Sequence, residues 1–326
     1  MLNVGVIGVG MMGQNHARVY SEIANLVGIA DPDEKKLSEV SKKFQVKGYE
    51  HFNDLLERKD LEAVSVSSPT STHFEVAKAA IEAKKHVLIE KPMGGGLKEA
   101  RELVANAKRK GVVLAVGFIE RHNPVVGFTK DLIQRRQFGD VISISSRRVS
   151  SFPLRVKDVG VILDLGIHDI DVIRYLLGSK VKSVYTLADG TGATEFEDHA
   201  NILLEFENGV FAFCEVNWLT PMKVRKVSLT CSENFVEMDY IKQTLQISSS
   251  TIKKIDTSNL YRIPQEYEER KVEIERREPL KNELSDFLEA IEHDRDPLIS
   301  GEEGVRTLKI AHAAMLSAKK GKKVAI

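Results

Sequence analysis

Val4-Gly5-Val6-Ile7-Gly8-Val9-Gly10-Met11-Met12-Gly13 decides the fold of this chain. An apolar, β-branched run stops at three glycines spaced GxGxxG. Gly8 permits a tight turn, and Gly10 lets a pyrophosphate approach the backbone. Gly13 lets the helix that follows pack closely on the strand, with its N-terminal amides facing the phosphates. Met11 and Met12 fill the intervening positions and belong to the same phosphate-binding turn. The spacing alone is a weak signal. It gains weight because a strand precedes it, a helical pattern follows, and the next apolar run, Val27-Gly28-Ile29-Ala30, ends in Asp31. An aspartate there accepts hydrogen bonds from ribose hydroxyls and repels a 2′-phosphate, which favours NAD over NADP. Asp31 could instead cap the helix that begins near Asp33, and Lys35 and Lys36 are the cations that NADP, the lesser expectation, would need.

Working outward, short apolar runs alternate with helical patterns through the first 120 residues. Strands are expected at Leu2–Gly8, Asn25–Ala30, Ala63–Ser67, His86–Ile89 and Val112–Val116, and helices at Gly13–Ile23, Asp33–Phe44, Phe52–Glu57, Thr72–Ala83 and Leu97–Lys110. Such alternation builds right-handed βαβ crossovers and a parallel sheet. After Gly117 the rhythm changes. Helices at Val125–Arg136 and around Leu163–Leu177 flank a strand at Val141–Val149, and six strands follow between Val181 and Ser248. Turn signals such as Glu207-Asn208-Gly209 separate these strands, which favours an antiparallel sheet. Ser250–Glu278 is charged and aperiodic and reads as a loop or edge region, and helices return at Glu283–His293 and Glu302–Lys319. The expected class is α/β: a Rossmann doubly wound parallel sheet over residues 1–120, and an α+β domain with a mainly antiparallel open sheet over 121–326. The C-terminal helix is free to pack back on the first domain.

Bulk composition excludes several functions. The 326 residues carry 47 Lys+Arg and 47 Asp+Glu, so no basic excess points to nucleic acid. No stretch is long and apolar enough to span a membrane, and the first apolar run leads straight into the glycine turn rather than a signal-peptide pattern. A cytoplasmic protein with no nucleic-acid or membrane partner is expected. Cys214 and Cys231 lie in apolar strand-like segments without CxxC or zinc spacing, and read as reduced core thiols.

Two further constellations carry chemistry. His86-Val87-Leu88-Ile89 ends in Glu90-Lys91-Pro92, which puts a lysine at the carboxyl edge of a parallel sheet, where open α/β folds bind ligands. Alone, Lys91 would read as a surface lysine. Asp164 and His168 stand four apart on one helical face among apolar neighbours, so they need polar partners such as sugar hydroxyls or each other. No third ligand at metal spacing accompanies them, and no metal is expected.

Together, GVIGVGMMG with Asp31, Ser67-Ser68-Pro69-Thr70-Ser71-Thr72-His73, Glu90-Lys91-Pro92 and the Asp164/His168 helix resemble the Gfo/Idh/MocA family of dinucleotide-dependent sugar and inositol dehydrogenases, over nearly the whole chain. The resemblance implies that Lys91, Asp164 and His168 line a hydride-transfer site. It also implies cofactor contacts from Ser68, Pro69, Thr70, His73, Glu90 and Lys91. Gly117-Phe118-Ile119-Glu120-Arg121-His122-Asn123-Pro124 further resembles members that oxidise UDP-linked N-acetylated sugars, with His122 where an aromatic is usual. Arg121 and Asn123 would then hold the sugar or its phosphates, or simply form a domain-junction turn. Arg147, Arg148, Arg155 and Lys157 are the cations available for a diphosphate. Either His168 or Lys91 could take the hydroxyl proton. Inositol or a free aldose would fit the same core residues, and a dinucleotide-bound sensor would need only the glycines and Asp31. The resemblance also implies a homodimer or homotetramer formed through the second-domain sheet.

Overall fold

The computed structural model describes residues 1–153, 158–192, 195–250 and 267–326. The chain forms two compact units, one of Met1–His122 with Glu278–Lys309, the other of Asn123–Arg277 with Ile310–Ile326.

The first unit is built on β1 (Asn3–Ile7), α1 (Met11–Ile23), β2 (Asn25–Ala30), α2 (Glu34–Phe44), β3 (Gly48–Tyr49), α3 (Phe52–Leu56), β4 (Ala63–Val66), α4 (His73–Glu82), β5 (His86–Glu90), α5 (Leu97–Lys110) and β6 (Leu114–Gly117). All six strands run parallel in the order β3-β2-β1-β4-β5-β6. The order reverses between β1 and β4, and the loops after β1 and β4 therefore share one carboxyl edge, where such sheets bind ligands. Central strands are apolar on both faces because helices cover both sides: Val4, Val6, Val64 and Val66 are fully buried. The two-residue β3 escapes sequence patterning because it is too short to show a period.

The second unit holds α6 (Pro124–Gln134), β7 (Val141–Ser151), a helix from Val161 that is π-wound over Ile162–Gly166 and continues as α7 (Ile167–Leu177), β8 (Val181–Asp189), β9 (His199–Phe206), β10 (Phe211–Asn217), β11 (Leu219–Cys231), β12 (Phe235–Asp239), β13 (Thr244–Ser250) and β14 (Tyr267–Glu273). With β15 (Val324–Ala325) these strands form a nine-stranded sheet, β14-β13-β12-β11-β7-β10-β9-β8-β15. Every pairing is antiparallel except β7 with β10. Of the stretch expected as a loop or edge, residues 267–273 form the edge strand and 251–266 lie outside the described residues. Cys214 and Cys231 are free thiols, which burial pushes up to about 12 and about 11.

The chain then enters α8 (Pro279–Glu292) and α9 (Gly301–Lys320). Sequence periodicity places the start of the first of these at Glu283. It begins four residues earlier because Pro279 suits the first helical turn, where its missing N–H costs nothing. Residues 278–309 belong with the first unit: the sequence pattern leaves the C-terminal helix free to pack back there, but assigns the preceding helix to the second domain. The cause is packing: Leu280, Leu284, Phe287 and Leu288 complete the core around β1 and α1. Gly301 and Gly304 let α9 approach β6, since a Cβ at either would press on Leu114 or Val116 at 2.9 and 2.7 Å.

Candidate active site

The three glycines of the β1–α1 turn differ in what requires them. Gly8 sits at φ +85°, and a Cβ there would meet the Ser68 backbone nitrogen at 2.6 Å. At Gly13 a Cβ would stand 1.8 Å from the Gly8 carbonyl oxygen. Among the described residues beyond its own chain neighbours, nothing lies within 4 Å of a Cβ at Gly10. Two glycines are thus demanded by the fold itself. The third leaves a hollow at the start of α1, where amide donors and the helix dipole suit a pyrophosphate. Asp31 is held at this turn, its two carboxylate oxygens accepting from Val9 N at 2.8 Å and Asp33 N at 2.9 Å. The α2 cap is Asp33, which accepts from Lys36 N and pairs with the Lys36 ammonium at 2.8 Å. Asp31 is therefore not the cap, and of the two nearby lysines Lys36 is already paired. Met11 is largely exposed and Met12 packs beside the core. These residues fit a dinucleotide whose ribose meets Asp31.

The loop after β4 and the turn after β5 are tied together. His73, 2% exposed, points one ring nitrogen at the Pro92 carbonyl oxygen (2.7 Å) and the other at that of Ser68 (2.8 Å). Its ring is a clamp, and no nitrogen remains for a nucleotide. Ser68 also accepts from Thr72 Oγ1 at 2.8 Å, while Pro69 is exposed and Thr70 half-buried on the same loop. Glu90, at the end of β5, lies 3.1 Å from His16 Nε2 of α1 and accepts from Lys91 N at 3.2 Å. Burial alone would raise the Glu90 carboxyl. The His16 contact, with Lys91 and His73 nearby, outweighs burial and holds it below the usual carboxylate range. His16 has no counterpart in the sequence expectations. Its only signal was a histidine on the buried face of the first helix.

In the second unit, Asp164 is 3% exposed on the π-wound turn and His168 is half-buried on the first turn of α7. Four positions on such widened winding fall just short of a full turn instead of just past it, so the pair still shares a face. The N-terminus of this helix is capped from Glu197, whose backbone oxygen accepts from Val161 N at 3.0 Å and whose carboxylate accepts from Ile162 N at 3.2 Å. Gly160 makes room for that carboxylate, which a Cβ would meet at 2.1 Å.

Several expected substrate contacts are committed elsewhere. Arg121, 4% exposed, pairs with Glu303 at 2.8 Å inside the first unit. Asn123 caps α6 and donates to the Tyr240 carbonyl oxygen at 3.1 Å. Arg148 is buried against Asp169 at 3.1 Å with its guanidinium over the Tyr240 ring, and Arg147 pairs with Glu215 at 3.0 Å. Arg155 and Lys157 lie outside the described residues. His122 is pushed down to about 4 by burial, with Arg121 adding to the effect, so it remains an uncharged ring where the resemblance expects an aromatic. Among the described residues no cluster of His, Cys, Asp and Glu could hold a metal, and no helix is long and apolar enough to cross a membrane.

Comparison with known proteins agrees with this arrangement. Residues 2–118 match the oxidoreductase family with NAD-binding Rossmann fold, and residues 128–237 match the GFO/IDH/MocA C-terminal domain. The chain is 31% identical over 311 residues to UDP-N-acetylglucosamine 3-dehydrogenase of Acidithiobacillus ferrooxidans, covering 95% of each. The solved structure of that enzyme superposes with a TM-score of 0.87 over 98% of both chains. Myo-inositol 2-dehydrogenase of Thermotoga maritima is 29% identical over 97% of this chain and 96% of its own. GenD2 from gentamicin A biosynthesis, solved in complex with NAD, is 25% identical with a TM-score of 0.85, covering 100% of this chain and 96% of its own. A glycine turn with an open Gly10, an acidic residue held at the end of β2, and near-full-length likeness to dehydrogenases lead to one conclusion: this chain is an oxidoreductase of the Gfo/Idh/MocA family with an NAD-binding Rossmann fold.

Proposed function

We propose that this enzyme oxidises a sugar hydroxyl to a ketone with NAD, at position 3 of UDP-N-acetylglucosamine or a related nucleotide sugar. The observation that carries the substrate class is the 31% identity, over 95% of both chains, to an enzyme named for that reaction. The open hollow over Gly10 and the held Asp31 support NAD.

A bound nicotinamide would supply the hydride acceptor for the carbinol carbon. Lys91 takes the hydroxyl proton; its charge is within electrostatic reach of the Glu90 carboxylate, which contacts His16. Asp164 and His168 hydrogen-bond and orient the carbinol. The opposite assignment, with His168 as base, uses the same residues and is separated by the variants described below. Inositol is the second reading, favoured by the 29% identity to myo-inositol 2-dehydrogenase.

The assay is absorbance at 340 nm with NAD against UDP-N-acetylglucosamine, its uronate, free N-acetylglucosamine, a free aldose and myo-inositol. NADH formed only with the nucleotide sugars is the expected result. Turnover of myo-inositol alone would replace the substrate reading, and NAD binding without turnover on any of these would favour a dinucleotide-bound sensor.

The second unit also supports a homodimer or homotetramer. One face of the nine-stranded sheet is buried through Ile202, Leu204, Ala212 and Val216, whereas the other displays Tyr185, Leu203 and Phe213 in one cross-strand row, with Phe211 and Leu187 beside it. Exposed apolar rows of this kind mark subunit interfaces. Phe213→Glu is expected to lower the solution mass by at least half in light scattering. A wild-type chain that is already monomeric at all concentrations would exclude the interface.

A further inference from the structure

His16 lies on the buried face of α1, one turn beyond Gly13, among the fully buried Ala17, Val19 and Tyr20. It is fully buried itself, and its Nδ1 has no hydrogen-bond partner among the described residues. A buried polar atom in that state costs about 1–3 kcal/mol. A leucine would pack there without the cost, so the packing of α1 gives no reason for an imidazole. The reason lies at the other nitrogen, which stands 3.1 Å from Glu90 Oε1.

The second oxygen of that carboxylate accepts from the backbone N–H of Lys91 at 3.2 Å. Burial raises the Glu90 carboxyl, but the His16 contact, with Lys91 and His73 nearby, holds it below the usual carboxylate range. At neutral pH both oxygens therefore only accept, and His16 Nε2 carries the hydrogen. A second element shapes the same space. Gly117, at the end of β6, is the partner of Glu90 in the β5–β6 register. A Cβ at Gly117 would stand 3.1 Å from the Glu90 carboxyl carbon and Oε2, and 3.3 Å from its Cα. Carbon atoms pack best at about 3.5–4.0 Å, so the glycine keeps open the room that the carboxylate fills. On the far side of the turn, His73 points Nδ1 at the Pro92 carbonyl oxygen at 2.7 Å. Glu90 and Pro92 are each held by a buried histidine, and Lys91 stands between them.

We infer that His16 and Gly117 are positioning residues for Lys91, acting through the Glu90 carboxylate that one contacts and the other makes room for; this rests on the dehydrogenase reading above. The helix that carries His16 is the one whose first turn suits the pyrophosphate. The ring thus ties the cofactor-binding helix to the backbone from which the lysine ammonium is delivered. Misplacing a reacting group by about 1 Å can cost about 100-fold in rate, even when the change lies away from the chemistry.

His16→Leu removes the donor to Glu90 and keeps the apolar packing, whereas the side-chain amide of His16→Gln still reaches the carboxylate. With whichever substrate the wild type oxidises, His16→Leu is expected to lower kcat about 10- to 100-fold and to leave KM and the NAD Kd within about 3-fold. His16→Gln is expected to recover most of that loss, and Gly117→Ala to repeat it with His16 in place. In a Lys91→Met background, His16→Leu is expected to change kcat by less than about 2-fold, because residues acting through one group are not additive. A merely structural role predicts the same fall in both backgrounds, and that result would overturn the inference. Undiminished kcat in His16→Leu beside an impaired Lys91→Met would overturn it as well. Nitrogen NMR of the protein with isotope-labelled histidine reads the contact without any substrate. The resonance missing from His16→Gln is expected to show a protonated Nε2, and an unprotonated Nε2 refutes the contact. Should His16→Leu fail to fold, Gly117→Ala and the NMR measurement decide. A wild type that oxidises no sugar or polyol, or a Lys91→Met enzyme with undiminished kcat, defeats the dehydrogenase reading of Lys91 and this inference together.

Discussion

Lys91→Met is expected to lower kcat about 1,000-fold while leaving NAD binding within about 3-fold and the unfolding midpoint unchanged, because a positioned proton-transfer group contributes about 10²–10⁴ in rate. Methionine keeps the length of the side chain and removes only the ammonium. His168→Asn, at a half-buried position on α7, is expected to lose a similar factor. If the two groups act on one proton transfer, the double variant should be little worse than either single one, since residues working as a unit are strongly non-additive. Stopped-flow absorbance at 340 nm measures the chemical step directly. The pH profile separates the two assignments. With Lys91 as base, His168→Asn retains the acid-side fall of kcat, where the base is protonated, whereas with His168 as base that fall disappears in His168→Asn and survives in Lys91→Met. A Lys91→Met enzyme with wild-type kcat would remove this residue from the chemistry altogether.

Gly10→Ala and Gly13→Ala are expected to fail in opposite ways. A methyl at Gly13 would sit 1.8 Å from the Gly8 carbonyl oxygen, a backbone atom that cannot move aside cheaply. Forced overpacking of this kind costs about 1–3 kcal/mol and can cost more, so Gly13→Ala should unfold several degrees early even without cofactor. Among the described residues beyond its chain neighbours, a methyl at Gly10 meets nothing within 4 Å, and the residue's φ of −64° suits any amino acid. Gly10→Ala should therefore unfold at the wild-type midpoint. Its Cβ would project into the hollow at the start of α1, where the loss of one or two charge-assisted hydrogen bonds of about 1.5–3 kcal/mol corresponds to NAD affinity about 10- to 100-fold weaker. Calorimetric titration with NAD and thermal melts of both variants provide the check. Wild-type affinity in Gly10→Ala would mean that the pyrophosphate does not approach that turn.

Much of the site was legible in the chain because its chemistry is local. A glycine turn, an aspartate at a strand end and a lysine before a proline are defined by neighbours a few residues apart. Backbone sterics and side-chain periodicity therefore announce them without any partner. Less legible were the residues whose meaning depends on distant segments. Arg121 and Asn123 stand in a segment that resembles substrate-binding ones, yet Glu303, some 180 positions later, neutralises Arg121, and the Tyr240 carbonyl oxygen takes the Asn123 amide. His73 lies in the cofactor loop, but its two nitrogens close on the backbones of two different loops.

The class of each unit follows from the sequence by itself, through the change from alternating strand–helix rhythm to serial strands and through the Gly8–Gly13 turn. Only the tertiary structure decided that α8 returns to the first unit, that His16 faces Glu90, and that Glu283 is buried on the apolar stripe of α8. The reason is physical. Periodicity reports which face of a helix is apolar, but not which surface that face will cover. A buried carboxyl or imidazole acquires its protonation and its role from the groups that burial brings against it.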